Sequence, residues 1–197
     1  NNAIAPVSIP QRKGEPLLFA VDEHPRLSEV SVLASLNPAF RDGGTVTAGN
    51  SSGINDGAAV SILASEEMVK QLGLTPMARI AGFGAAGVDP SIMGIGPVPA
   101  SQKALKNAGI SVKDLGVAEL NEAFASQVLA SMRALEIDRS IVNPNGGSIA
   151  IGHPLGASGT RISATLLHHM KRNPSLRYGL ATMCIGVGQG IAIALER

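Results

Sequence analysis

From Gly44 onward the chain alternates short apolar runs with glycine-rich turns and longer amphipathic stretches, and this alternation restricts the fold more than any other feature. Thr45-Val46-Thr47-Ala48 and Ala58-Ala59-Val60-Ser61-Ile62-Leu63 have the length and β-branching of strands, and their continuous apolarity predicts burial on both faces. Ala78–Ala81, Val117–Leu120, Tyr178–Cys184 and Ile191–Leu195 read as further strands. Helices are expected over Ala100–Asn107, Glu122–Leu135 and Gly159–Lys171, with a shorter one capped by Ser65, acidic at Glu66 and Glu67, and ended by Gly73. Strands alternating with helices predict an α/β layered domain, and its last two strands, joined by a few glycine-rich residues, read as an antiparallel hairpin. Residues 1–43, with Arg12-Lys13-Gly14-Glu15-Pro16 and Asp22-Glu23-His24-Pro25-Arg26, are more charged and read as an irregular, partly exposed segment.

Composition removes several function classes. The 197 residues are 45% hydrophobic and 16% charged, where about a quarter charged is usual. A mean hydropathy of +0.21 with a net charge of +1 is the reverse of a disordered chain. Sixteen basic against fifteen acidic residues leave no surplus to displace counterions, and 3% aromatic content offers little for bases to stack on, so nucleic acid is not an expected partner. The single cysteine, Cys184, forbids an internal disulfide and any multi-cysteine metal site. A reducing compartment follows, the cytoplasm or, if the true N-terminus lies further upstream, an organelle matrix. Asn1-Asn2-Ala3-Ile4-Ala5-Pro6 has neither a basic start nor a long apolar core, so no signal or transit segment is expected there. Tyr178–Leu195 holds 18 residues without a charge, but Gly179, Gly186, Gly188, Gln189 and Gly190 interrupt it, and two buried strands around a turn explain it better than a membrane span.

Four motifs carry chemistry or imitate it. Gly82-Phe83-Gly84-Ala85-Ala86-Gly87 matches the dinucleotide fingerprint in letters, yet Val88-Asp89-Pro90 follows where a helix should open, and Asn107 stands about 20 residues on, where an acid should hold the ribose. It is read as a coincidence. Cys184 lies in Thr182-Met183-Cys184-Ile185-Gly186-Val187-Gly188-Gln189-Gly190; a lone cysteine is commonly a small buried hydrophobe, but the alternating glycines leave bare backbone beside the sulfur where a carbonyl could meet peptide N–H groups. His153 sits among glycines in Ser140–Thr160, 21 residues without Asp, Glu, Lys or Arg, a stretch suited to an enclosed site or interface. Ser158 is expected to cap the following helix, and His168 and His169 to be helix-end cations. Asn121 opens Asn121-Glu122-Ala123-Phe124 at a strand-to-helix junction, where it could be only an N-cap or could orient a water, while Glu122 would complement the helix dipole. Thiol, imidazole and amide on three strand ends or loops form a minimal kit for thiol chemistry, the thiol as proton donor or nucleophile and the imidazole as proton shuttle.

Asn121-Glu122-Ala123-Phe124, the Asn145-Gly146-Gly147 to Arg161 stretch containing Gly152-His153-Pro154, and Cys184-Ile185-Gly186-x-Gly188-Gln189-Gly190 together resemble the C-terminal blocks of the thiolase family, in family order. The run from Gly44 to Ala59 and Met93-Gly94-Ile95-Gly96-Pro97-Val98-Pro99-Ala100 support the resemblance, which covers essentially the whole chain but only the C-terminal half of a usual thiolase. It implies a thiolase-like layered fold, a mixed sheet covered by helices within a two-half architecture, with residues 1–43 as the end of a CoA-covering loop domain and 44–197 as the C-terminal domain. The implied reaction is acyl exchange between a 3-ketoacyl-CoA and CoA through an acyl-cysteine carried by the N-terminal half, in fatty-acid β-oxidation or related metabolism. CoA is then a substrate, no covalently bound cofactor or metal is required, and the complete enzyme is an oligomer. By the same resemblance Cys184 is the acid/base, His153 activates the nucleophile and binds the thioester oxygen, Asn121 holds the water completing that oxyanion hole, and the N–H of Gly186 belongs to a second one. Ser52, Met93 and Phe124 match positions lining the pantetheine channel, and Arg12 lies in the CoA-covering segment. Val187 replaces a glycine of many relatives, which predicts a stiffer turn without positive-φ freedom. Val187 and Met93–Pro97 are similar to 3-oxoadipyl-CoA thiolases of aromatic degradation, the rest also to β-oxidation thiolases, so acyl preference stays open. Two other readings remain: a non-catalytic acyl-CoA-binding or interaction domain derived from a thiolase, and a cysteine hydrolase using Cys184 and His153 alone.

Overall fold

The glycine fingerprint lies inside a strand. In the computed structural model, which describes residues 4–197, strand β3 runs over Arg79–Gly87, well past the expected Ala78–Ala81, and carries all of Gly82–Gly87. Its glycines serve packing: a Cβ at Gly82 or Gly84 would collide with the backbone of Ala104 or Ala100 on helix α3, Pro97–Ala108, which lies directly across β3. Strands β4 (Leu115–Leu120), β5 (Tyr178–Ile185) and β6 (Gln189–Glu196) complete a four-stranded sheet in the order β3-β6-β5-β4. β4 and β5 are parallel and the other pairs antiparallel, so the sheet is mixed, and β5–β6 is the hairpin read from the sequence, in the register Cys184 opposite Gly190.

Residues alternate between two cores because successive side chains of a strand face opposite ways. Ala118, Leu120, Leu180, Ala192 and Ala194 pack with α3 and with α4, Ala125–Leu135. Val117, Ala181 and Leu195 pack on the other face with Ile162, Leu166 and Met170 of α6, Ser158–Arg172. This helix–sheet–helix layering is the α/β architecture expected. α6 lies mainly over β4 and β5 and reaches β6 at Leu195; on the same face toward β3, Ile80, Phe83 and Ile191 are exposed. Among the described residues no helix is long and apolar enough to cross a membrane.

The preceding segment departs from expectation. Residues 1–43 contain a small hairpin, β1 (Val7–Ile9) with β2 (Leu17–Phe19), and one short helix, α1 (Val30–Ala34), although nearly all of it is exposed as anticipated; Asn1, Asn2 and Ala3 of the N-terminal reading lie outside the described residues. Thr45–Ala48 is not a strand: Thr47 bridges Pro38 and caps a single 3-10 turn, Ala48–Asn50. Ala58–Leu63 is neither regular nor buried, Val60 being 88% and Ile62 90% exposed, because no described strand pairs with it and β-propensity is realised only against a neighbour. Helix α2, Glu66–Leu72, forms as read, with Ser65 Oγ accepting the N–H of Met68 and Gly73 closing it in the left-handed region. A short helix, α5 (Ser148–Ile151), lies in the uncharged stretch before α6.

Candidate active site

The parallel pair β4–β5 places Asn121 and Cys184 at the same, carboxyl, end of the sheet. Leu120 lies opposite Thr182, and the Asn121 N–H donates to the Thr182 carbonyl at 3.0 Å, so the chain leaves β4 beside the last turn of β5. The carboxyl ends of parallel strands are where α/β folds collect ligands. Asn143 takes over the ladder as it stops: its Oδ1 accepts the Leu120 N–H and its Nδ2 donates to the Leu120 carbonyl, both at 2.8 Å. The same Nδ2 reaches Glu122 Oε1 at 2.9 Å, while Glu122 Oε2 accepts the Ile149 N–H at 3.1 Å. Glu122 therefore holds the first turn of α5 against β4 instead of standing in the first turn of α4. Helix α4 begins only at Ala125 behind Phe124, three residues later than the sequence suggested, so Asn121 is not its cap.

Freed from capping, the buried Asn121 amide points into the site. Its Nδ2 is 3.3 Å from His153 Nε2, and its Oδ1 accepts from Ser148 Oγ at 2.7 Å. Arg161 Nη2 donates to that same Ser148 Oγ at 2.6 Å. His153 follows Gly152, whose φ of 95° and contact with the Asn55 side chain leave no room for a Cβ. The His153 N–H is held by the Gly53 carbonyl at 3.0 Å and Asn55 Oδ1 at 3.2 Å, and His153 Nδ1 is 2.6 Å from Ser158 Oγ. Ser158 Oγ in turn donates to the Pro154 carbonyl at 3.0 Å. Ser158 thus serves the imidazole from the first turn of α6 and is not its cap, which is Ala157. Burial, and then the Arg161 charge, hold the His153 pKa below its ordinary value, so the ring is neutral near pH 7.

Cys184 is buried near the end of β5, and burial pushes its thiol pKa up, so it is a protonated acid at neutral pH. Opposite it, Gly190 and Gly96 pack backbone to backbone and admit no side chain. The turn beyond Cys184 exposes Gly186 to open space. Val187 does adopt positive φ, 66°, against the expectation that a branched residue would remove that conformation; the hairpin imposes it at a cost of about 1–2 kcal/mol.

The substrate-side residues are distributed unevenly. Ser52 is tied to the site by its N–H and Oγ, both donating to the Ala123 carbonyl, and Phe124 meets Phe40 edge to face at 5.7 Å. Met93 is half-buried in the 3-10 segment Pro90–Ile95, which packs on β5 and β6. Arg12 is exposed in the β1–β2 loop, with no hydrogen bond or ion pair to other described residues. An open cleft of about 390 Å³ lies beside the histidine loop, lined by Asn55–Ala59 and Pro154–Ala157. Among the described residues no cluster of three or more His, Cys, Asp or Glu could hold a metal ion. His169 meets Asn145 at 3.1 Å and its pKa is lowered by burial and by Arg172, so it is not the helix-end cation expected.

Sequence reading counted Asn143 and Ser148 among the polar residues of the uncharged stretch but assigned no role to them or to Asn55, Arg161 and Glu119. The last is 1% exposed with Oε1 unpartnered among the described residues, and its pKa is pushed up to about 7, first by burial and further by Glu122, against the pull of Arg161. The available signal was Arg161 itself, the charge that ends an uncharged 21-residue stretch.

Comparison with known proteins bears on this site. Residues 74–197 match the family model described as thiolase, C-terminal domain, and residues 1–67 the model for thiolase, N-terminal domain. The chain is 56% identical over 195 residues to an acetyl-CoA acetyltransferase of Thiocystis violacea, covering 98% of this chain and 49% of that protein. It is 52% identical over 198 residues to a probable acetyl-CoA acyltransferase of Staphylococcus aureus, covering all of this chain and 50% of the relative. A crystal structure of the Bacillus anthracis acetyl-CoA acetyltransferase superposes with a TM-score of 0.91 at 48% identity, over 99% of this chain and 49% of that one. Human mitochondrial 3-ketoacyl-CoA thiolase in complex with CoA gives 0.83 at 48% identity, over 91% and 45%. The chain spans about half the length of these relatives.

Proposed function

The chain belongs to the thiolase family, and on that premise we propose that it is the acid/base half of a 3-ketoacyl-CoA thiolase, paired with an N-terminal half that supplies the nucleophilic cysteine. The observation that carries this reading is the Asn121–His153 hydrogen bond at the carboxyl end of the β4–β5 pair, where Cys184 also lies. A neutral His153 accepts the proton of the incoming nucleophile at Nε2, hydrogen-bonds the thioester oxygen as imidazolium beside the Asn121 amide, and returns the proton to that sulfur when the acyl group leaves for CoA. Attack by the nucleophilic thiolate on the 3-keto carbonyl breaks the bond between that carbonyl carbon and Cα. Cys184, protonated because it is buried, delivers its proton to Cα of the departing acetyl-CoA enolate, and the thiolate left behind takes the thiol proton of the next CoA.

Ser52, Met93 and Phe124 line the pantetheine channel in this reading, with Arg12 over the CoA and the Gly186 N–H donating, in the second oxyanion hole, to the 3-keto oxygen as the thiolate adds to its carbon. Residues 1–43 close the CoA-covering loop domain and 44–197 form the C-terminal domain. The exposed Ile80, Phe83 and Ile191 and the unpaired Ala58–Leu63 suit a chain that a second half covers. The complete enzyme is a homo-oligomer of the cytoplasm acting in fatty-acid β-oxidation or aromatic degradation.

Thiolysis of a 3-ketoacyl-CoA, assayed with this chain alone, with an N-terminal half alone and with both together, tests the proposal. Activity only in the mixture is expected. Turnover by the purified chain alone overturns the need for a second half, and an assembled pair that binds CoA without turning over indicates a binding module instead.

A further inference from the structure

An amide side chain offers two ends of nearly equal shape, and which end faces His153 decides what the imidazole can do. Hydrogen-bond directions in the site remove the ambiguity. A guanidinium only donates, so Arg161 Nη2 occupies a lone pair of Ser148 Oγ and the single Ser148 hydroxyl proton must go elsewhere. The remaining partner is the Asn121 side chain at 2.7 Å, which must therefore present its oxygen there and its NH2 toward His153 Nε2. Nε2 then accepts. On the ring's other side the Ser158 proton is directed to the Pro154 carbonyl, so Ser158 Oγ accepts from His153 Nδ1. Both chains of donors favour the tautomer with hydrogen on Nδ1 and the lone pair on Nε2, turned toward the Asn121 amide.

We infer that Arg161 and Ser148 are positioning residues that fix the orientation of the Asn121 amide and, through it, the tautomer of His153. Neither need touch substrate. Arg161 is suited to the task because it is largely enclosed, with its Nε and Nη1 unpartnered among the described residues, and is anchored electrostatically by the buried Glu119. Ser148 is completely buried, with no solvent to compete for its proton. The link to turnover rests on the proposed thiolase reaction, whereas the link to the tautomer does not.

The test follows the tautomer of His153 by 15N NMR of the histidine-labelled chain, with Ser148→Ala, Arg161→Lys and Arg161→Gln, the resonance assigned by its loss in His153→Asn. In the unmodified chain Nδ1 carries the hydrogen. Arg161→Lys, still a donor-only cation, keeps that tautomer; Arg161→Gln, which can also accept, and Ser148→Ala give mixtures. In the assembled enzyme Ser148→Ala lowers kcat about tenfold to a hundredfold with KM for CoA within about threefold, less than the 10²- to 10³-fold of removing an oxyanion donor outright. A His153 tautomer unchanged in Ser148→Ala, or the same response to Lys and Gln at position 161, overturns the inference. If Arg161→Gln fails to fold, Ser148→Ala decides. Absence of thiolysis by the assembled enzyme, with the tautomer pattern intact, counts against the proposed reaction and not against this device.

Discussion

Residues 4–65 and residues 79–197 differ as sharply in packing as two parts of one chain can. In the second region every strand is hydrogen-bonded to at least one neighbour, β5 and β6 on both sides, and helices pack on the sheet; in the first, only Thr47 is buried, and Val60, Ile62 and Leu63 stand in solvent. Yet the exposed region contributes to the site: Gly53 and Asn55 hold the His153 backbone, and Ser52 bonds to Ala123. The lesson is that burial and function are distributed separately. A weakly packed segment can position a buried imidazole through two acceptors on its backbone N–H while most of the segment's own apolar side chains are exposed.

The widest contrast is in chemistry. Cys184→Ala in the assembled enzyme should reduce turnover by about 10²- to 10⁴-fold, the range of a general acid/base, while slow acylation of the nucleophile persists in a single-turnover assay. Ile62→Ala, in the exposed segment, should leave both within about twofold of the parent; a comparable loss would place the exposed segment inside the reacting site. Packing gives the next contrast. Leu166→Ala removes a fully buried side chain and should cost about 2–5 kcal/mol by urea denaturation of the chain, whereas Val60→Ala should change stability by less than about 0.5 kcal/mol. Equal effects would mean that Ala58–Leu63 is paired in solution.

A third test uses pH. The Glu119 pKa is raised from 4.5 to about 7 in the folded chain, so folding favours its protonated form, and the associated stability, on the order of 3 kcal/mol, is present below about pH 4.5 and lost as pH rises toward 7. Glu119→Gln should flatten the stability profile across that interval, measured by thermal melts at matched ionic strength; an unchanged slope removes Glu119 as its source. The smallest effect is expected at Val187, where glycine relieves the positive φ but widens the unfolded ensemble. Val187→Gly should stabilise by about 0.5–1 kcal/mol, and destabilisation would show that the branched side chain packs.

Elements were readable from sequence where the signal was local. Ser65 and Gly73 bracket α2 because a cap and a left-handed stop are properties of a few consecutive residues. The β5–β6 hairpin was readable because glycines mark its turn between two apolar runs. Thr45–Ala48 and Ala58–Leu63 have the same local signal and are not strands, since a strand needs a neighbouring edge. Likewise the start of α4 was placed at Glu122, because Asn121 has the chemistry of a cap; Asn143, 22 residues further on, takes the end of β4 and delays the helix.

Cys184, His153 and Asn121 were identified as candidates by residue type and glycine context alone, and the sequence by itself determined the family, the layered α/β class and the chemistry these three could perform. Only the tertiary structure decided how they are used: that Asn121 faces His153 instead of capping a helix, that Ser158 receives the imidazole, and that Arg161 reaches Asn121 through Ser148. The reason is physical. A side chain's repertoire of donors, acceptors and protons is intrinsic to the residue, but the direction of each hydrogen bond is set by partners that lie tens of residues away and meet only when the sheet, its helices and the turns between them have closed.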